Sequence, residues 1–181
     1  MILGVGLGHP GKVELTQFGE EADDGIRAVK LDEGLDILTG LWQGKPFRYQ
    51  GTHYHIQKTT FLPPALQTPR IPIWVAGFWP HTAPFRRAAC WDGVVPLKRG
   101  GLQPVDIEKI VAFLQEHRTS KAPFDIIKIG TTPEGSPAKR GKTVVPYAAT
   151  GATWWLESLF TKRNSFEQMR QRIRQGPPVV L

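Results

Sequence analysis

Residues 70–96 read RIPIWVAGFWPHTAPFRRAACWDGVVP. Ile73 to Ala76 is an unbroken apolar run closed by Gly77, the pattern of a short strand buried on both faces. Thr82 is an N-cap candidate, and Ala83 to Cys90 follows as a short helix. Trp91-Asp92-Gly93 then turns the chain into Val94-Val95-Pro96, a further buried strand. Strand, helix, strand in this order is the βαβ unit, and it decides for a parallel α/β sheet.

The same alternation extends both ways. Upstream, Ile2, Leu3, Val5 and Leu7 alternate with Gly4, Gly6 and Gly8 as a first strand. Leu31, Leu35, Leu38 and Trp42 fall on one face of a helix over 26–42, closed by Gly40, Gly44 and Pro46. Pro46 to Gln57 reads as a hairpin about Gln50-Gly51, and Pro63, Pro64, Pro69 and Pro72 mark an extended connector, so 43–70 is an insertion. Downstream, Pro104 opens a helix carrying Ile107, Ile110, Val111 and Leu114, and Ile126 to Gly130 is a fourth strand. Residues 131–143, TTPEGSPAKRGKT, read as a flexible polar loop. Ala148 to Trp154 reads as a fifth strand, Trp155 to Phe160 as helical, Phe166 to Arg174 as a last helix and 175–181 as a loose tail. The expected fold is α/β: an incomplete TIM-type (β/α) barrel of about five parallel strands with flanking helices and a hairpin insertion, forming one partial-barrel domain over 1–181. A complete eightfold barrel takes roughly 250 residues.

Composition narrows the function classes. The 181 residues include one Cys, which excludes an intramolecular disulfide framework and a Cys-rich zinc site. No apolar run approaches the roughly 18 residues of a membrane span, and the opening MILGVGLGHPGK lacks the layout of a signal peptide. The expected setting is cytoplasmic. Lys+Arg outnumber Asp+Glu by 23 to 16, giving +7, with part of the excess near the C-terminus. No nucleic-acid-binding signature accompanies it, so a solvated basic face is expected rather than a nucleic-acid partner.

Several residues sit where chemistry is built. The C-terminal ends of parallel strands are site positions. Gly77, Phe78, Trp79, His81 and Thr82 occupy one such end, where a helix N-terminus suits a phosphate; the same residues also make an ordinary capped turn. Gly8 and His9 occupy another. His9 is the one candidate for acid/base chemistry, and HPG is equally a turn sequence. His53 and His55 lie two apart on the hairpin with no third ligand near, so no metal is expected. Cys90 reads as a buried, inert thiol. GVGLG lacks the dinucleotide-binding spacing.

LGVGLG, KLDEGLDILTGLW, RIPIWVAG and APFRRAACWDGVVP, in that order, resemble the luciferase-like monooxygenase family. The resemblance implies barrel enzymes using flavin or a deazaflavin. It aligns Leu3 to Gly8 with the fourth barrel strand, Ile71 to Gly77 with the fifth, Asp92 to Pro96 with the sixth, Ile126 to Gly130 with the seventh and Ala152 to Glu157 with the eighth, and leaves the first three strands without a counterpart. It implies cofactor contacts at Gly8, His9, Arg27, Gly77, Phe78, Trp79, His81 and Thr82, with Arg27 matching an arginine on the cofactor phosphate and the loop after Gly77 holding that phosphate. The catalytic group belongs to the unmatched strands. The expected function is an FMN- or deazaflavin-dependent oxidoreductase acting on a small molecule of unknown identity; the alternative is a truncated, non-catalytic relative acting as an oligomeric binding protein. Five strands do not satisfy barrel closure, so a homodimer or larger assembly is expected.

Overall fold

A computed structural model describes residues 1–8, 11–159 and 165–178. The chain divides into two compact units, Met1–Ile73 and Trp74–Leu181.

The first unit opens with strand β1, Leu3–Val5, whose Leu3 N–H donates to the Pro72 carbonyl at 2.9 Å. A short helix α1, Gly11–Glu14, and a 3-10 turn, Thr16–Phe18, follow; neither was legible in the sequence. Helix α2 spans Asp24–Leu41 and is capped by the Asp23 carboxylate, which accepts the Ile26 N–H at 2.9 Å. Its apolar stripe buries Leu35. Gly40 does not end the helix. A Cβ there would stand 2.0 Å from the Phe47 ring, so only glycine lets that ring lie against α2. Strands β2, Phe47–Gln50, and β3, His55–Thr59, pair antiparallel with Gln50 opposite His55. His53 lies in the turn, not on the strand, so the two histidines do not share a strand face.

That turn hangs on one carboxylate. Glu33, buried on α2, accepts the N–H groups of Thr52 (2.6 Å), His53 (3.0 Å) and Tyr54 (2.9 Å). Burial alone raises its pKa, but the His53, Tyr54 and Thr52 N–H groups outweigh that and hold it below the ordinary carboxylate range.

The second unit alternates strand and helix: β4, Ile73–Phe78; α3, Thr82–Ala88; β5, Gly93–Leu97; α4, Pro104–His117; β6, Asp125–Gly130; α5, Pro137–Ala149; β7, Trp154–Glu157; α6, Phe166–Arg174. Strands β4 to β7 pair in parallel, in chain order. The register sorts their side chains into two rows. Val75, Gly77, Val94, Pro96, Ile126, Lys128 and Trp155 face the helices. The inner row holds Trp74, Ala76 and Phe78 on β4, Val95 and Leu97 on β5, Asp125, Ile127 and Ile129 on β6, and Trp154 and Leu156 on β7. Phe85, Ile107, Ile110 and Leu114 complete the helix-side core and are almost wholly buried, each contributing about 2 kcal/mol. The fold is therefore α/β, an incomplete TIM-type barrel whose strands are β1 and β4 to β7, with the β2–β3 hairpin inserted.

Three sequence readings are corrected. The flexible loop expected over 131–143 gives way to α5 from Pro137, because Ser136 caps it on the Lys139 N–H (3.3 Å) and Pro137 occupies the first turn. The stretch read as strand from the residue pattern, Ala148 to Trp154, holds the end of α5; the strand is Trp154–Glu157, where that pattern suggested a helix and where the family resemblance aligns the eighth barrel strand. Gly151, at φ 107°, makes the break between them. Cys90 is exposed, not buried.

Candidate functional site

The C-terminal end of β4 runs into α3 through Trp79-Pro80-His81. Gly77 is buried in the helix-facing row, and a Cβ there would stand 2.3 Å from the Pro84 Cβ; glycine is required so that strand and helix touch. His81, not Thr82, holds the N-cap position, and its side chain makes no capping bond. Thr82 is the first helical residue, and both are exposed. The Trp79 N–H donates to the Leu97 carbonyl at 2.7 Å, tying this turn to the end of β5. Its ring packs edge-on against Phe85 (5.1 Å) and Phe113 (6.2 Å), so the indole turns onto the helices instead of crowding the turn. Gly77, Phe78, Trp79, His81 and Thr82 are thus brought together by this one turn.

The remaining expected residues belong to the first unit. Gly8 adopts φ 80°, with Leu15 against it. His9 lies outside the described residues. Arg27 is inside α2. Its guanidinium pairs with Asp24 and donates to the carbonyls of Glu21 (2.8 Å) and Ala22 (2.7 Å). It fastens the segment entering the helix to the first helical turn, and both terminal nitrogens have protein partners.

The sequence missed a polar cluster at the ends of β6 and β7. Glu157 accepts the Thr132 N–H (2.8 Å), the Thr132 hydroxyl (3.0 Å) and the Trp155 indole N–H (2.9 Å). Arg172 of α6 stands 3.5 Å from Glu157 and donates to Thr132 (3.0 Å) and to the Gly176 carbonyl (2.7 Å). Arg140, fully buried on α5, donates to Gly135 and to the Gln175 side chain (3.0 Å) and carbonyl (3.1 Å). The two arginines bind the chain just beyond α6, where the dipole favours cations. Burial raises the Glu157 carboxyl, but Thr132, Trp155 and Arg172 together hold it below its ordinary range. Asp106 behaves alike: burial opposes, while Lys98 at 2.7 Å and the Gln103 N–H at 2.9 Å lower it. The only signal for the cluster was Ser136-Pro137 opening α5; the pairing of Glu157 with Thr132 depends on parallel register.

Comparison with known proteins bears on this arrangement. The family model described as luciferase-like monooxygenase matches residues 1–100, more than half of the chain. The chain belongs to the luciferase-like monooxygenase family. Among curated relatives, the uncharacterized proteins Rv0940c of Mycobacterium tuberculosis (strain H37Rv) and Mb0965c of Mycobacterium bovis are 32% identical over 161 residues, covering 81% of this chain and 52% of theirs. The chain spans about half the length of these curated relatives. Among solved structures, monooxygenase RslO1 from Streptomyces bottropensis superposes with a TM-score of 0.71 at 15% identity, over 96% of this chain and 66% of that one. An F420-dependent secondary alcohol dehydrogenase, solved with an F420-acetone adduct, gives 0.53 at 16%, over 81% and 44%. At these identities the two structures support the fold, and the family assignment rests on the sequence matches. No helix among the described residues is long and apolar enough to cross a membrane.

Proposed function

We propose that this chain forms part of a flavin- or deazaflavin-dependent oxidoreductase of the luciferase-like family, acting on a small molecule. The observation that carries the reading is the β4–α3 turn inside the family-matched residues. It stands at the C-terminal end of a parallel strand, where barrel enzymes build their sites, with His81 and Thr82 exposed and the Trp79 indole folded away. These residues fit the phosphate end of such a cofactor. Thr82 would donate its hydroxyl, and the Thr82 and Ala83 N–H groups would add theirs, Pro84 having none. When bound, the cofactor would supply hydride or electron transfer; the chain's own residues would hold and orient it. Arg27 is the weaker contributor, because Asp24 and two carbonyls already engage it.

Fluorescence titration with FMN and with a deazaflavin tests this reading. Saturable binding of one of them is expected, with Thr82→Ala weakening it by about tenfold, as for the loss of one hydrogen bond to a charged group. No saturable binding of either at about 50 µM would overturn it. Binding indifferent to Thr82→Ala would move the cofactor away from this turn.

A further inference from the structure

We propose, building on the cofactor reading of the β4–α3 turn, that Trp79 is its positioning residue: seated on α3 and α4, it fixes the stretch that presents Thr82 and so sets how tightly a cofactor phosphate is held there. The turn does little to fix itself. His81 and Thr82 are exposed, and the His81 side chain makes no capping bond. The His81 N–H donates to the Phe78 carbonyl at 3.0 Å, a bond that stays within the turn.

Trp79 ties the turn to other elements in two ways. Phe78 stands opposite Leu97 in the parallel register, and one residue further on the Trp79 N–H donates to the Leu97 carbonyl at 2.7 Å. The indole meets Phe85 of α3 edge-on at 5.1 Å and Phe113 of α4 at 6.2 Å. Its seat is itself held. Phe85 is fully buried and stands 6.5 Å from Phe113, edge-on. The His117 ring stacks on Phe113 at 4.0 Å, and the Arg86 guanidinium lies 5.8 Å from the Phe113 centroid. All of these residues belong to the second unit. A donor held in place in advance loses little freedom when a ligand binds, and misplacement by about 1 Å is enough to weaken its contact strongly. Loosening the indole therefore acts on the phosphate end of the cofactor and not on its ring system.

Pairing each cofactor with its unphosphorylated form separates this role from a general loss of stability. FMN is titrated beside riboflavin, and a phosphorylated deazaflavin beside its unphosphorylated parent. The unmodified chain is expected to bind the phosphorylated form of one pair about tenfold more tightly. Trp79→Phe and Phe113→Leu are each expected to cut that ratio about fivefold by weakening the phosphorylated form, and to speed amide exchange at position 79 and at His81 without any ligand. Phe113→Leu leaves the sequence of the turn intact, so it answers should Trp79→Phe fail to fold. Val144→Ala, which trims the buried core at α5, is expected to leave the ratio unchanged. An unchanged ratio in Trp79→Phe and Phe113→Leu, whether the two forms weaken together or neither does, overturns the role of Trp79 and leaves the cofactor reading standing. An unmodified chain that binds both forms alike has its phosphate contact elsewhere, which overturns the positioning role. Binding of neither form defeats the cofactor reading itself and this role with it.

Discussion

Lys128 shows how little a residue's type tells when its layer is unknown. It lies in the helix-facing row of β6, 8% exposed, with its ammonium over the rings of Tyr147 (5.0 Å) and Trp155 (5.5 Å) and donating to the Ile129 carbonyl (2.6 Å). Two ring faces contribute about 1 kcal/mol each, yet burial prevails and pushes its pKa below that of a free lysine. The charged form is the costly one, so the loss is full below the lowered folded value and is relieved as pH rises from there toward about 10.4. Lys128→Met is therefore expected to leave the melting temperature at pH 7 unchanged or raise it by about 3 °C, with the gap narrowing toward pH 10. A clear fall in melting temperature at pH 7 would show that the ring contacts prevail. Glu33 has the opposite sign. Its folded pKa is depressed, so its contribution is complete above about 4.3 and is lost as pH falls through the lower folded value. Amide exchange at Thr52, His53 and Tyr54 is expected to accelerate first on acidification, ahead of β4 to β7, and to be fast already at pH 7 in Glu33→Ala. Neither role was visible in the sequence. KLDEGLDIL marks Glu33 as one of several acids on a helix, and only the fold brings the turn at 51–54 above it.

At the scale of elements, what was legible was local. The apolar run ending in Gly77, the stripe of α2 and the Pro104 start of α4 each depend on residues within a few positions of one another, and each element stands where it was expected. The misreadings share a cause. In 131–143 the abundance of Gly, Pro and charge outweighed a Ser-Pro helix start, and burial of Arg140 and Val144 against the rest of the unit stabilises α5 beyond its own propensity. The β4–α3 junction is the element contact with the tightest tolerance. At Gly77→Ala the new methyl meets the Pro84 Cβ at 2.3 Å, closer than carbon atoms approach, and both partners are stiff. Strand and helix must separate by a few tenths of an ångström or more, which costs about 2 kcal/mol for an overpacked core, or about 6 °C. Thermal melting by circular dichroism measures it. A loss below about 2 °C would mean that α3 yields freely, and the candidate cofactor turn would then be a soft element.

For the whole molecule, the charge excess and its location bear on the expectation that nucleic acid is not a partner. The formal +7 suggests an anionic partner only if the cations are free. Many are not. Arg27, Arg118, Arg140 and Arg172 point their guanidinium groups at backbone carbonyls: Arg118 reaches Trp91 (3.0 Å) and Ala122 (3.0 Å) and lies over the Phe124 ring, and the other three hold the entry to α2 and the chain beyond α6. These arginines pin segments that have no ladder of their own, and releasing any of them to a phosphate would give up the hydrogen bonds that fasten those segments. The sequence shows the same arginines as part of a basic excess and cannot distinguish internal fasteners from a surface stripe. A nucleic-acid site needs several free cations along one face, and log affinity then falls with log salt at about 0.9 per phosphate neutralised on duplex DNA. With these four engaged, we propose that any association with nucleic acid is weak and non-specific. A mobility-shift titration of duplex and single-stranded DNA is expected to show at most a smear at about 50 mM salt and nothing at about 200 mM. A discrete complex that survives the higher salt would mean that these guanidinium groups leave their carbonyls on binding, and the charge-based exclusion of a nucleic-acid partner would fail with it.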